Sequence, residues 1–383
     1  MNVQINELPL EKPALRTPYV SVVIPVYNAR PLLTQVLSPL GELGPNWEVI
    51  VVDDGSSDDS ARWVRQHAPW ARLLCQSNSG QAVARNLGVS VASGHTLFFV
   101  DSDVVVEVET LRAMARWMDE HPQFDGVFGC YSSWGYHRES PLSRFRNLLH
   151  RQVHQEQSGL VASFWTGLGA IRKDSFLRAG GFDRRLTGIE DVGLGKRLTD
   201  LGGRIVLNPA FEGRHLKNWT LRSMVHTDIF VRAMPWTYYG YLGLTPKKGL
   251  NLSPRNALPP LFLLLALALL PWLPQLGQGL LALYLLLNGP RYLYFASCAG
   301  GLLGLKSVGY LLVHHLCCLI GAGLGTLQAM AHHLVGKSRQ VHQLPGHQQE
   351  SNTRPLLGGN WAQGSSQQSW QAEVEAHVVL QAP

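Results

Sequence analysis

The sequence predicts an α/β domain built on a largely parallel sheet, followed by a block of apolar helices. Three apolar, β-branched runs each stop at polar or acidic turn residues. Val20-Ser21-Val22-Val23-Ile24-Pro25-Val26 runs into Tyr27-Asn28. Val49-Ile50-Val51-Val52 stops at Asp53-Asp54-Gly55-Ser56-Ser57-Asp58, and Thr96-Leu97-Phe98-Phe99-Val100 stops at Asp101-Ser102-Asp103. Continuous apolarity of this kind marks strands buried on both faces, the habit of parallel sheets. Ligands of open α/β sheets gather beyond the carboxyl ends of such strands. Carboxylates converging on that edge predict a site for a metal and a phosphorylated ligand, and so an enzyme.

The elements follow in βαβ order. After Asn28, residues 31–43 have helical spacing, and Asp58 or Asp59 is placed to cap the helix carrying Trp63 and Val64. Residues 81–93 read as a third helix and 109–120 as a fourth, ended by His121-Pro122. Residues 129–159 turn polar and aromatic, with Arg138, Arg144, Arg146, His150, Arg151 and His154. Mobile loops and helices over the site are expected there. Residues 164–172 read as a strand and 173–179 as a short helix closed by Gly180-Gly181. Residues 190–201 read as a helix and 204–207 as a last strand.

The 383-residue chain is 45% hydrophobic, and that apolarity is unevenly spread. Residues 261–270 hold no polar side chain and 280–287 are nearly as apolar. A third apolar run, 308–330, is interrupted by His314-His315 and Cys317-Cys318. Pro271 and Pro274 predict a kink or hairpin between the first two. Such density within about 70 residues is hard to bury without lipid, so membrane helices are expected over 258–334. Nine Lys or Arg between Arg197 and Arg255 face only Asp200, Glu212 and Asp228, which fits a cytosolic juxtamembrane stretch over 237–257. A basic patch also suits nucleic acid, but no nucleic-acid motif accompanies it. Residues 1–18 carry Glu7 and Glu11 and no apolar core of a signal peptide, so a cytosolic catalytic domain at the inner membrane is expected. Five cysteines give neither a disulfide framework nor a zinc spacing, as in a reducing compartment. The segment 335–383, rich in Gln, Ser and Gly, reads as a disordered tail.

In this order and spacing the motifs resemble family-2 glycosyltransferases of the GT-A fold, in their membrane-anchored bacterial form. The resemblance covers about residues 19–236. It implies a Rossmann-like mixed sheet and carries roles onto individual positions. Pro25 and Tyr27 match the first-strand signature, whose aromatic ring stacks on the nucleotide base. Asp54, in Asp53-Asp54-Gly55-Ser56, matches the residue that accepts the base imide N–H, which favours uracil. Arg85 falls in the segment near the nucleotide. Asp101 and Asp103 match the DXD pair: Asp103 as direct ligand of Mn²⁺ or Mg²⁺, Asp101 on the ribose or on the metal through water. Two carboxylates one residue apart on a turn suit a hard divalent cation bridged to a diphosphate. Asp191, after Glu190, matches the catalytic base, which must be ionised to take a hydroxyl proton. His215 matches a residue that completes the metal site or touches the diphosphate. Trp165, Thr166, Glu190 and Trp219 fall on the acceptor side.

Each position also has a plainer reading: Tyr27 as strand-end packing, Asp58 and Asp191 as helix caps, His215 as structural, Trp219 as core. Agreement of several motifs in order favours the functional ones, except at Asp58, which reads as a cap alone. The expected activity is inverting, metal-dependent transfer from a nucleotide sugar, a UDP-sugar, to a hydroxyl of a lipid or glycan at the membrane. Two alternatives stay open: a polyprenyl-phosphate glycosyltransferase, whose phosphate acceptor needs no strong base, and a non-catalytic nucleotide-binding scaffold of the same fold. A dinucleotide dehydrogenase is disfavoured because no Gly-x-Gly-x-x-Gly follows a strand.

Overall fold

The computed structural model describes residues 20–133, 140–246 and 253–341. The first strands are β1 (Val20–Val26), β2 (Trp47–Asp53), β3 (Arg72–Cys75) and β4 (Thr96–Val100); a short β5 (Val104–Val105) follows. The others are β6 (Gly126–Tyr131), β7 (Gly159–Val161), β8 (Leu168–Arg172) and β9 (Ile205–His215). Among the described residues they form one sheet in the order β3-β2-β1-β4-β8-β6-β9-β5, with β7 on β9. β3, β2, β1 and β4 are parallel, whereas β8 runs antiparallel to both β4 and β6. The mixed sheet implied by the resemblance is present.

Helices cover both faces, as the continuous apolar runs require. They are α1 (Leu33–Leu37), α2 (Ser60–His67), α3 (Gln81–Ser90), α4 (Val108–Glu120), α5 (Pro141–Glu156), α6 (Lys173–Arg178) and α7 (Glu190–Asp200). Alternate strand residues serve opposite layers. Val22, Ile24, Val51 and Phe98 pack with Leu33, Trp63 and Met114 of α1, α2 and α4. Val23, Val52, Leu97 and Phe99 pack with Ala84, Phe176 and Leu194 of α3, α6 and α7.

Beyond β9 come α8 (Leu221–His226), a π-helical segment (Thr227–Ala233), α9 (Met234–Tyr241), α10 (Pro254–Leu269), α11 (Pro274–Ala299) and α12 (Gly301–Val341). Pro271 and Pro274 mark the α10–α11 turn, as expected. Among the described residues one helix, over Gly301–Leu334, is long and apolar enough to cross a membrane. Phe145 and Leu148 of α5, Trp219 and Met224 join Phe295 and Leu311 in a third core that seats these helices on the domain.

Three readings change. The stretch 129–159, expected as mobile loops and helices, holds the end of β6 as well as the sixteen-residue α5, which follows Ser140 accepting from the Ser143 N–H. The strand expected over 164–172 begins only at Leu168, because the preceding turn buries Phe164 and Thr166 against neighbours. The last strand is eleven residues, since β9 pairs with β6 along one edge and with β7 and then β5 along the other. The tail expected from 335 lies outside the described residues from 342 on, while α12 continues to Val341.

Candidate active site

The carboxyl ends of β1, β2 and β4 lie side by side, so their turns share one edge of the sheet. Pro25 is buried in β1, whereas Tyr27 stands 53% exposed just past it, a free aromatic face beside the β2 turn. Asn28 ties the two turns: its side-chain oxygen accepts from the Ser57 N–H at 2.8 Å. Gly55 must be glycine, since its φ is +75° and a Cβ would lie 2.7 Å from the Asn78 nitrogen.

Asp54 is buried, and its carboxylate accepts from Gln76 Nε2 (2.7 Å) and from the N–H groups of Ser79 (2.8 Å) and Gly80 (2.9 Å). Of roughly four lone-pair positions on a carboxylate, about one remains for a base. Neighbouring Asp53 accepts from the Ser56 N–H through Oδ1, and its buried Oδ2 has no partner among the described residues. Sequence reasoning gave Asp53 no role; an orphaned buried acceptor is the signal only the structure supplies.

Arg85 links the site's two halves. Its guanidinium is fully buried, with Nη2 2.7 Å from Asp101 Oδ1 and Nη1 2.8 Å from Glu190 Oε1. Glu190, expected on the acceptor side, is itself buried, with its second oxygen accepting from the Gly188 N–H at 3.0 Å. It therefore stands behind the site, holding Arg85. The next residue, Asp191, opens α7 and accepts from the Val192 N–H. Burial, and after it the Glu190 charge, raise the Asp191 carboxyl to about 7, although Arg85 opposes both. A carboxylate balanced near neutral pH is what a general base for a hydroxyl requires.

Asp103 and His215 meet because β5 pairs with β9, placing Val104 opposite His215. His215 Nε2 lies 3.4 Å from Asp103 Oδ2, and the Leu216 N–H donates to the Asp103 carbonyl at 2.7 Å. The imidazole stacks flat on Tyr131, centroids 4.2 Å apart at 5°. Its Nδ1 lies 2.8 Å from Asn147 Oδ1, and the same amide donates through Nδ2 to the His215 carbonyl. That contact turns Nδ1 toward the Asn147 oxygen as a donor and aims Nε2 at Asp103. Burial works against ionising Asp103, but the hydrogen bond and charge of His215, then the Lys217 charge, hold its carboxyl below the usual range. An ionised carboxylate beside an oriented imidazole fits a divalent metal, with Mn²⁺ favoured over Mg²⁺ by the nitrogen donor. Among the described residues no group of three or more His, Cys, Asp or Glu forms a ready metal cluster. The remaining positions would fall to diphosphate oxygens and water, the usual arrangement for such ions.

Of the residues expected on the acceptor side, Trp165 is half-buried against Tyr131, His150 and His154, and Thr166 is buried. Burial pushes His154 down to about 4 and His150 well below its usual value, so this wall is neutral. Trp219 is buried between two cations, Arg146 at 4.9 Å and Lys217 at 4.2 Å from its ring. It is a packing residue that holds Lys217 near the Asp101–Asp103 turn. Tyr131, Asn147 and Lys217 carried no role in the sequence, because each acts only through residues distant along the chain.

Residues 21–178 match the model of Glycosyl transferase family 2. An uncharacterized glycosyltransferase of Escherichia coli K12, YibD, is 33% identical over 177 residues, 41% of this chain and 49% of that protein. The validoxylamine A glucosyltransferase of Streptomyces hygroscopicus subsp. limoneus is 28% identical over 227 residues, 50% of each chain. The chain thus spans about half the length of these curated relatives. Among solved structures, the mannosyltransferase PcManGT from Pyrobaculum calidifontis, in complex with GDP-Man and Mn²⁺, superimposes with a TM-score of 0.51 at 21% identity. The match covers 82% of this chain and 87% of that one and bears on the fold.

Proposed function

Because residues 21–178 match the model of Glycosyl transferase family 2, we propose that the chain is a metal-dependent inverting glycosyltransferase. It moves a sugar from a nucleotide-sugar donor to a hydroxyl of a lipid or glycan acceptor at a membrane surface. The observation that carries this reading is the pairing of Asp191, raised to about 7, with the Asp103–His215 pair, joined through Arg85, Asp101 and Glu190.

In this reading Tyr27 stacks on the base, and Asp53 Oδ2 with the remaining position on Asp54 accepts base N–H groups. Asp101, held by Arg85, faces the ribose. Asp103 and His215 hold a divalent cation, which when bound offsets charge on the departing diphosphate. Lys217, placed by Trp219, adds a fixed positive charge beside the same group. Asp191 takes the acceptor hydroxyl proton as that oxygen bonds to the anomeric carbon. The bond to the diphosphate oxygen breaks on the opposite face, which inverts the anomeric centre. Trp165 and Thr166 wall the acceptor side. A phosphate acceptor would have no proton for Asp191 to take, so the tuned carboxyl favours a hydroxyl over a polyprenyl phosphate. It also argues against a scaffold without turnover.

Residues 19–236 form the catalytic unit in this proposal, and the apolar helices after it attach the unit to the cytosolic face of a membrane. UDP-sugars are the first donor class. GDP-sugars are the second, because the structural neighbour is described with GDP-Man. A panel of both classes, with Mn²⁺ or with chelator, tests the proposal on the full chain. Donor turnover that needs Mn²⁺ and falls by about 10²–10⁴-fold in Asp191→Asn, with donor affinity retained, is expected. Chelator-resistant turnover, or a fully active Asp191→Asn, would refute it.

A further inference from the structure

The mode of membrane attachment can be read from where α12 lies. From Tyr310 to His332 it follows the catalytic domain. Tyr310 packs on Phe145 of α5 at 5.4 Å, and His314 Nδ1 lies 2.8 Å from Asp228 Oδ2 in the π-helical segment. Further along, Gly321 and Gly325 admit the backbone of that segment and of α9. A Cβ on Gly321 would stand 2.8 Å from the Ile229 oxygen, and one on Gly325 2.5 Å from the Met234 oxygen. His332 then meets the Tyr238 hydroxyl at 2.7 Å.

The helices under α12 are themselves laid on the catalytic unit. The Tyr239 hydroxyl donates to the Arg185 carbonyl at 2.7 Å, and a Cβ on Gly188 would meet the Val231 oxygen at 2.7 Å. Both contacts fall in the loop leading to Asp191. The stretch of α12 from 310 to 332 spans about 33 Å at 1.5 Å per residue, as much as the ~30 Å hydrocarbon core of a bilayer. A helix crossing that core could not keep a polar domain along its flank, because the domain's charged and backbone groups would then sit in hydrocarbon.

We propose that α10–α12 dock in the plane of the membrane, as a one-sided lipid-binding layer on the cytosolic leaflet, instead of spanning it. The proposal rests on the membrane reading above and specifies its geometry. The occupant is a bilayer surface bearing anionic headgroups. α11 and α12 expose Leu286, Leu293, Leu302, Leu305, Leu327 and Leu334 strongly, and Trp272 at the α10–α11 turn is 82% exposed. A patch this extended exceeds what a soluble surface ordinarily shows. Cations border it. A cleft of about 550 Å³ between the start of α5 and the α11–α12 turn is lined by Arg144 and Lys306 beside Leu302 and Leu303. Half-exposed Arg255 stands at the start of α10, paired with Glu156 at 3.1 Å. Leucines for acyl chains with a basic rim for phosphate are the chemistry of an interfacial helix layer.

The test uses the full chain expressed in bacterial cells, with Cys75, Cys298 and Cys318 replaced by serine. Single cysteines are then placed by Lys306→Cys and His333→Cys, exposed positions toward opposite ends of α12. A membrane-impermeant maleimide is applied to cytosolic-face-out and periplasmic-face-out vesicles. Labelling of both positions in the first and of neither in the second is expected. One position labelled from each side would overturn the in-plane geometry and leave the membrane reading standing. Recovery of the chain in the soluble fraction, as monomer or as a dimer closed over the leucines, would overturn both.

Discussion

Replacing Glu190 by Gln should lower the pH at which Asp191 takes up its proton. In the native chain Asp191 sits at about 7, raised first by burial and then by the Glu190 charge. Its base form is therefore lost as pH falls through 7, and kcat/KM should climb through that value to a plateau. Gln keeps the shape and one oxygen for the Arg85 donor but removes the negative charge. Unit charges 5–10 Å apart at an effective dielectric constant of about 20 interact by ~2–3 kcal/mol, equivalent to ~1–2 pH units. Arg85, relieved of one of its two carboxylates, acts more strongly on Asp191 in the same direction. The acidic limb of the pH–rate profile should thus move down by ~1–2 units. The buried Arg85–Glu190 pair, 2.8 Å long, also loses its charge assistance, which costs on the order of 1.5–3 kcal/mol and several degrees in Tm. A steady-state pH series with the active donor, beside a thermal melt, reads both. A limb that stays near 7 or moves up would refute the assignment of Asp191 as the titrating base.

Asp103→Ala should abolish Mn²⁺-dependent donor binding, measured by calorimetry with the nucleotide diphosphate. Its Tm should change little, because the carboxylate is about 30% exposed. Asn147→Ala should weaken Mn²⁺ affinity by about 10–100-fold by releasing the His215 ring, leaving metal-free nucleotide binding nearly unchanged. Arg146→Met should destabilise by about 3–5 kcal/mol, since it leaves Asp228 buried without its bidentate partner. Chemical denaturation of the detergent-solubilised chain would show the loss, and a variant melting like wild type would count against the pair's structural role.

Much of the sheet was legible because its signals are local. Runs such as 49–52 and 96–100 are apolar at every position, and the turns that end them carry their own carboxylates. Residues 126–131 hid a strand because Gly126 and Gly129 weaken the pattern, and the bounds of α5, within a stretch expected to hold loops and helices, hid behind its arginines and histidines. Five of its polar residues, Ser143, Arg146, Asn147, Gln152 and His154, are buried, a placement governed by partners elsewhere in the chain.

The sequence by itself determined the order of strands and helices, the acidic strand ends at Asp54, Asp101 and Asp103, and the apolar character of the C-terminal helices. Tertiary structure alone decided what those groups do to one another. Arg85 reaches Glu190 across 105 residues of chain, and His215 meets Asp103 only because β5 pairs with β9. Composition marked 308–330 as one of three apolar runs expected in a membrane, and only the packing of α12 along α5 and α9 shows which surroundings one flank already has. Propensity and periodicity act over a turn or two of chain. Ion pairing, metal-ligand geometry and a shifted carboxyl depend on separations of a few ångströms between segments that only folding brings together.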